Sequence, residues 1–240
     1  MSSTACGSFT MQAAILVTVL WNLVSASLSQ SARLVSEEAQ ILSPKSLHGN
    51  DDPWFCRGSP CPPFEVISTA QTYELRDYAE TTWISTSVES SNYEVAVAKA
   101  FVPLYSYLRG NNEAKLQIDM AKPAITLIQP DKDFSSTGTN YTVLFYLPDL
   151  SEDTAPKPLA KEVRLETSPK QRFYVLGYGG FATGGSILNS ALKLALALET
   201  DKRSFDRKHL WSALYDAPTR LWGRHNEVMF SASKKSVSLS

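Results

Sequence analysis

The stretch YELRDYAETTW, residues 73–83, begins as an alternating β-strand and then loses its alternation. Tyr73 and Leu75 share one parity, whereas Tyr78 falls on the other, and the residues between them include Glu74 and Asp77. A strand that changes the face it buries predicts either a β-bulge or a bound ligand.

Short runs rich in β-branched and aromatic residues lie along the rest of the chain and predict further strands. These runs are FEVIST (64–69), TYELRDY (72–78), TWISTSV (82–88), KLQIDM (115–120), AITLIQ (124–129), YTVLFYLP (141–148), EVRLET (162–167), RFYVLGY (172–178), HLWSALYDAP (209–218) and NEVMFSAS (226–233).

Two predicted helices interrupt the strands. Ser91 followed by Glu94 predicts a capping box at the start of the first helix, and Gly110 with Asn111 predicts its end. The second helix is expected from about Gly185 to Leu198. Apolar residues recur at helical spacing in both segments: Val97, Ala100, Phe101, Leu104 and Leu108 in the first, and Ile187, Leu188, Ala191, Leu192, Ala195 and Leu198 in the second.

The order of elements is strands, helix, strands, and then the same again. Such an order indicates a weak internal duplication and an α+β fold, in which two helices lie on an antiparallel sheet or barrel. The length of 240 residues fits one domain with extensions.

The charge of the chain is balanced, with 23 Lys and Arg against 24 Asp and Glu, for a formal net charge of −1. No bulk basic field is therefore present to attract nucleic acid or an anionic membrane surface. We expect neither as a partner.

The N-terminus contains one long apolar run, at residues 11–24. It is shorter than the roughly 20 residues of a spanning helix, so we interpret residues 1–26 as a signal peptide cleaved after Ala26. A buried core helix is the alternative. Residues 27–61 are rich in polar and turn-forming residues, and we expect a flexible lead.

The cysteines and one sequon agree with secretion. Cys6 lies in the proposed signal peptide, which leaves Cys56 and Cys61 as a pair that we expect to be bridged in an oxidising compartment. A zinc site would need two further ligands at suitable spacing, so a dedicated metal site is not predicted. Asn140 begins the N-glycosylation sequon NYT.

Nine motifs occur in the order found in the SOUL family of haem-binding proteins, which the chain resembles from Pro62 to Ser233, followed by a tail at residues 234–240. The motifs are YELRDY, WISTSVES, AFVPLYSYLRGNNE, IDMAKP, YLP, PKPL, GGFA, LYDAP and RHNEV. The resemblance implies a distorted antiparallel barrel flanked by two helices. It also implies binding of haem or related tetrapyrroles rather than catalysis.

The chain departs from the family at a proposed iron ligand. Some members carry a His directly after the Arg of the YELR strand, where this chain has Asp77. A carboxylate is a poor axial ligand for haem iron compared with imidazole, thiolate or thioether. The other candidate ligands are His48, His209, His225 and Met120, for each of which a surface or core position is the alternative.

In related proteins without a dedicated iron ligand, the porphyrin lies in an apolar groove beside the first helix and the last loop. Carried onto this chain, the groove would contain the helix residues Lys99, Val102 and Pro103 and the loop residues Arg220, Trp222 and Arg224. Apolar side chains suit the flat macrocycle, and cations suit its two propionates. Charged loop residues that are simply solvated are the alternative at each position. Pro103 in mid-helix also predicts a kink.

Three functions remain after this comparison. The first is reversible haem or tetrapyrrole binding by a secreted monomer, with the haem as ligand and no other metal ion. The second is a secreted interaction protein that has lost tight haem binding. The third is an enzyme, for which no catalytic group can be named; the Gly-rich run YGGFATGGS lacks the Lys of a phosphate loop.

The opening strand can now be given expected faces. We expect Leu75 and Trp83 to point into the barrel and Tyr78 to mark a switch of face. Asp77 should lie on the solvent side, because a buried unpaired carboxylate would have to be neutralised or find a cation.

Overall fold

The computed structural model describes residues 53–233. The proposed signal peptide, His48 and the tail at 234–240 lie outside the described residues. Nine strands and two helices follow a 3₁₀-helix at Trp54–Cys56. The strands are β1 (Phe64–Thr69), β2 (Glu74–Tyr78), β3 (Thr81–Glu89), β4 (Ala124–Ile128), β5 (Asn140–Leu147), β6 (Arg164–Ser168), β7 (Gln171–Tyr178), β8 (Phe205–Leu214) and β9 (Asn226–Ala232), and the helices are α1 (Tyr93–Leu108) and α2 (Gly184–Thr200).

The strands form one antiparallel sheet in the order β1-β2-β7-β9-β8-β4-β5-β3-β6. Apart from β1, the chain follows the pattern of two strands, a helix and two strands twice, as β2-β3-α1-β4-β5 and β6-β7-α2-β8-β9. The equivalent strands of the two halves are β2 and β6, β3 and β7, β4 and β8, and β5 and β9. If each is exchanged for its equivalent, the order of these eight strands reads the same from the opposite edge of the sheet. The predicted internal duplication and the α+β fold are therefore confirmed.

Two short connections require this sheet to curl. β2 is joined to β3, and β6 to β7, by only two residues each, although the joined strands are six positions apart in the sheet. Six strand spacings in a flat sheet would be about 29 Å, whereas a two-residue connection spans at most about 11 Å. The sheet therefore curls into a distorted barrel whose edge strands β1 and β6 do not pair, in agreement with the predicted fold class.

The two faces of the sheet bury different clusters. On the helix face, α2 packs on Val228 and Phe230 of β9, and α1 packs on Ile84 and Phe145. On the inner face lie Trp83, Leu144, Tyr146, Phe173, Val175 and Met229. Alternate residues of β5 and β9 enter different clusters, which is the two-residue period of a strand buried on both faces.

The opening stretch shows this double burial. β2 pairs with β7 in unbroken register, with Leu75 toward α2 and with Arg76 and Tyr78 on the inner face. The expectation that Leu75 points into the barrel is wrong, as is the switch of face at Tyr78; the expectation for Trp83 is confirmed. The alternation of the sequence seemed broken at Tyr78 because this strand region buries aromatic side chains on both faces of the sheet, Tyr73 on the helix face and Tyr78 on the inner face. The irregularity lies on β1, between Val66 and Ser68.

Asp77 is also placed differently from the expectation. It is 8% exposed rather than on the solvent side. Its Oδ2 lies 3.4 Å from both Lys170 Nζ and Arg172 Nε, so two cations from the β6–β7 turn and β7 compensate the buried carboxylate. Neither cation could be assigned to Asp77 before the strand pairing was known.

Two local predictions are wrong. The run KLQIDM forms no strand: Lys115 has a positive φ of 54°, and the side chain of Asn112 holds the loop by hydrogen bonds to Tyr107 and Leu116. The predicted capping box of α1 is replaced by Asn92, whose Oδ1 accepts from Val95 N.

Glu94, the other predicted member of that box, instead accepts a hydrogen bond from Gly184 N at the start of α2. The end of α1 is as predicted, because Arg109 caps the helix and Gly110 follows with φ 100°. None of the helices in residues 53–233 is both long and apolar enough to cross a membrane.

Candidate functional site

The loop between β8 and β9 presents apolar and basic side chains to solvent. Trp222 is 77% exposed and Leu221 is 62% exposed, and the Arg220 side chain keeps 42% of its area accessible. We call these three residues the rim. Large apolar side chains at this exposure are available to a ligand.

Arg224, also predicted at the groove, has a different position. It is 8% exposed, and its guanidinium donates to four backbone carbonyls, those of Gly180, Ala217, Arg220 and Asp216. With its donors used in this way, Arg224 holds the shape of the loop that carries the rim.

A disulfide-closed turn lies against the same loop. Cys56 and Cys61 are bridged with their Cα atoms 6.1 Å apart, and both are buried against the inner face. Arg57 in this turn donates from Nη2 to Gly223 O at 2.6 Å and from Nε to Asp216 Oδ1 at 2.7 Å. The packed domain therefore begins before Pro62.

The turn adds two residues that the sequence analysis assigned to the flexible lead. Trp54 is 65% exposed, and the Arg57 guanidinium lies 5.3 Å from its ring centroid. The one signal that could have identified them is the aromatic pair Trp54-Phe55 directly before Cys56, since exposed linkers are poor in such residues.

His225 is enclosed by aromatic rings. Its imidazole stacks on Phe55 at a centroid distance of 4.2 Å, and Trp54 and Tyr215 each lie 5.3 Å away. Nε2 is 3.0 Å from Oε1 of Glu227. Coordination of iron through Nε2 would require this hydrogen bond to break and the aromatic contacts to move.

Glu227 is fully buried at the centre of a charged network. Arg76 Nη1 lies 2.9 Å from Oε1, and Tyr215 donates to Oε2 at 2.8 Å. Burial alone would raise the pKa of this carboxyl. The hydrogen bond with His225 and the charge of Arg76 together outweigh burial, so the pKa is below its usual 4.5. Burial and the Glu227 charge raise the pKa of Tyr215.

The carboxyl of Asp216 lies at the edge of the same network. Burial opposes ionisation, but the hydrogen bonds from Arg57 and from His225 N outweigh it and lower the pKa of Asp216. The site therefore contains two carboxylates that stay charged because cations and donors surround them.

The helix residues of the predicted groove lie on a different element. Lys99 and Val102, the latter 60% exposed, are on the solvent side of α1, and Pro103 lies within the helix. The structure thus joins the rim with Trp54 and Arg57, and presents Lys99 and Val102 separately on α1.

The remaining candidate residues have these positions. The His209 ring is 41% exposed on β8, with Nδ1 2.6 Å from Asp206 Oδ2. Met120 packs beside the cluster under α1. Asn140 is exposed at the start of β5. Within residues 53–233, no group of three or more His, Cys, Asp or Glu side chains could hold a metal ion.

The inner face also encloses a cavity of about 250 Å³. Typical small-molecule pockets have volumes of roughly 300–1,000 Å³, so this cavity suits a ligand smaller than a porphyrin. A macrocycle is accommodated more easily at the rim than inside the barrel.

Comparison with known proteins identifies the family of the domain. The family model described as SOUL heme-binding protein matches residues 59–231. Heme-binding protein 2 of Homo sapiens is 33% identical over 157 residues, covering 65% of this chain and 76% of the human protein. Heme-binding protein 1 of Xenopus tropicalis is 27% identical over 158 residues, covering 66% of this chain and 82% of the relative.

Solved structures share the fold at low sequence identity. The C-terminal domain of EcmrR superposes with a TM-score of 0.52 at 12% identity, covering 68% of this chain and 98% of that domain. A hydrolase from Listeria innocua superposes with a TM-score of 0.52 at 11% identity, covering 70% of this chain and 94% of the hydrolase. At such identity only the architecture is shared.

Proposed function

The chain belongs to the SOUL heme-binding protein family, and from this membership we propose that it binds haem or a related tetrapyrrole reversibly, as a secreted monomer. The observation that carries the proposal is the family match across residues 59–231, which is nearly the whole described domain. Binding rather than catalysis is the activity that this family suggests.

The surface chemistry of the rim supports the proposal. Trp222, Leu221 and Trp54 offer exposed apolar area for the face of a macrocycle, and Arg220, whose side chain is 42% exposed and shares Asp216 with Arg57, offers a cation for a propionate. By the family resemblance, Lys99 and Val102 on the solvent side of α1 would also contact the macrocycle. Arg224 and Pro103 would affect haem binding indirectly. Arg224 would do so through the shape of the loop that carries the rim, and Pro103 through the shape of α1.

The residues fit the macrocycle better than they fit the iron. Asp77 is ion-paired, and the imidazole of His225 is packed between aromatic rings. We therefore propose that affinity comes from apolar contact and propionate pairing, which is consistent with reversible binding. When bound, haem supplies an iron centre whose ligation these side chains do not determine.

The test is a haemin titration of the full chain, followed through the Soret band. Arg220→Glu and Lys99→Glu should each weaken haemin affinity by on the order of 1–2 kcal/mol, the size of one lost charge-assisted contact. Trp222→Ala should weaken it through lost apolar area. Lys193→Glu and Leu192→Ala, exposed on α2, are the matched controls and should leave affinity unchanged.

Equal losses of haemin affinity in Arg220→Glu, Lys99→Glu and Lys193→Glu would contradict the proposed site. They would show that affinity depends on the net charge of the protein and not on the position of the cation. A wild-type protein with no saturable Soret change would contradict haem binding itself.

The second candidate function, a secreted interaction protein that has lost tight haem binding, is favoured by one observation. The family's proposed iron-ligand position holds Asp77, and its carboxylate already has two cationic partners. An absent Soret change in folded wild-type protein would support this candidate.

Secretion is a separate part of the proposal. The Cys56–Cys61 bridge and the exposed Asn140 support it. Protein recovered from the medium of expressing cells should begin after Ala26 and shift in gel mobility after glycosidase treatment. Retention in the cell with an intact N-terminus would contradict secretion.

A further inference from the structure

Five aromatic rings line the cavity on the inner face. They come from strands across the sheet, as Tyr78 on β2, Trp83 on β3, Phe173 on β7, Trp211 on β8 and Tyr215 directly after β8. The other apolar lining residues are Ile125, Leu144, Met229, Pro62, Pro123 and Pro169. Aromatic faces carry a negative quadrupole and attract cations as well as apolar groups.

The charged lining of the cavity has one sign. Glu166 is its single carboxylate, and no Lys, Arg or His is among the lining residues. Glu166 lies opposite Trp83 in the β3–β6 pair and accepts a hydrogen bond from Ser85 Oγ. Arg76, which is also on the inner face, is not among the lining residues and is paired with Glu227.

The cavity reaches the surface at the turn between β6 and β7. Thr167 and Pro169, both exposed, belong to its lining, as do Ser168 and Gln171. None of the rim residues lines the cavity, so it is separate from the proposed haem site.

From these features we propose that the cavity is a second binding site, for a small organic cation that carries an aromatic ring. The rings of Trp83, Trp211 and Phe173 would contact the aromatic and cationic groups, and Glu166 would balance the charge. Its volume of about 250 Å³ limits the ligand to one ring with a compact ammonium group. The absence of a lining cation disfavours anions.

The probe is phenyltrimethylammonium, added to the full chain and followed by quenching of tryptophan fluorescence and by calorimetry. tert-Butylbenzene, which has the same shape without charge, and benzenesulfonate, an anion, are the comparison ligands. We expect saturable binding of the ammonium ion at one site per chain, at least tenfold weaker binding of tert-butylbenzene, and no binding of benzenesulfonate.

Two variants identify the site. Glu166→Gln keeps an acceptor for Ser85 but removes the charge, and it should weaken phenyltrimethylammonium binding about tenfold. Glu162→Gln, an exposed carboxylate outside the cavity, is the matched control and should bind like the wild type. Ser168→Phe should block the mouth and abolish binding, while haemin affinity stays unchanged.

The inference is overturned if benzenesulfonate binds as tightly as the ammonium ion, if the wild type binds neither, or if Glu166→Gln and Ser168→Phe both bind like the wild type. Because these outcomes do not depend on haemin, the failure of one site leaves the other intact.

Discussion

At the scale of single residues, neighbouring charges on β2 have opposite environments. Arg76 points to the inner face and pairs with buried Glu227, whereas Asp77 points to the other face and lies near Lys170 and Arg172. Arg76 also has a local partner, because its Nε lies 2.8 Å from Glu74 Oε2. The desolvation of each charge is otherwise offset by partners distant in sequence, and the local pattern of the strand could not give Glu227, Lys170 or Arg172.

Asp77→Ala should leave haemin affinity nearly unchanged and lower the free energy of unfolding by no more than about 1 kcal/mol. The reason is that both cationic partners are more than half exposed and lie 3.4 Å away, a geometry typical of weak ion pairs. Urea unfolding and a haemin titration measure the two quantities. A tenfold loss of haemin affinity, with folding intact by circular dichroism, would instead assign the site to β2.

The sequence could predict some residues of the site and not others. Trp222 and Arg220 follow from the family resemblance, and the structure finds them exposed. The burial of Arg224 and the stacking of His225 on Phe55 depend on contacts between segments far apart in the chain. No local pattern encodes such contacts.

At the scale of elements, the disulfide turn is the part that the sequence described least completely. The spacing of Cys56 and Cys61 predicts the bridge, yet the polar composition of the lead hides the fact that Phe55 is buried. The strand KLQIDM shows the opposite error. Its alternation resembles a strand, but Leu116 is 47% exposed and the segment forms a loop after α1.

Replacing both Cys56 and Cys61 by Ser should lower the free energy of unfolding by about 2 kcal/mol, the chain-entropy value for so short a loop. Haemin affinity should also fall, because Trp54 and Arg57 are held beside the rim by this turn. Urea unfolding with and without a reductant is the measurement. Reductant should destabilise the wild type and not the double variant; an equal effect on both would show that the bridge has no such role.

At the scale of the whole molecule, the sheet curls around an inner face that contains both the cavity and the charged network. The duplication was predictable because hydrophobic period and element order are local properties of the chain. The curl of the sheet could be deduced only once the strand order was known. That order places β2 six positions from β3 although the two strands are adjacent in sequence. The sequence therefore predicted the class of the fold more fully than the contents of the barrel.

The charged network inside the barrel should make the whole molecule sensitive to acid. The folded-state pKa values of Glu227 and Asp216 are below their usual 4.5 and 3.8. A carboxyl with a lowered folded pKa contributes stability above its unfolded pKa, and this contribution is lost as the pH falls through the folded pKa. We expect the free energy of unfolding to be constant near neutral pH and to fall as the pH drops below about 4.5.

Urea unfolding at a series of pH values from 7 to 3 tests this, with Glu227→Gln as the main comparison. At pH 7 that variant should be less stable by up to about 3–5 kcal/mol, because buried Arg76 loses its fully buried carboxylate and keeps only the partly exposed Glu74. Its stability should also decline less steeply with acid, since one of the two carboxyls is gone. If it does not fold, Asp216→Asn, which keeps an acceptor for His225 N, replaces it in the comparison. A variant as stable as the wild type at pH 7 and equally sensitive to acid would contradict a stabilising role for the network.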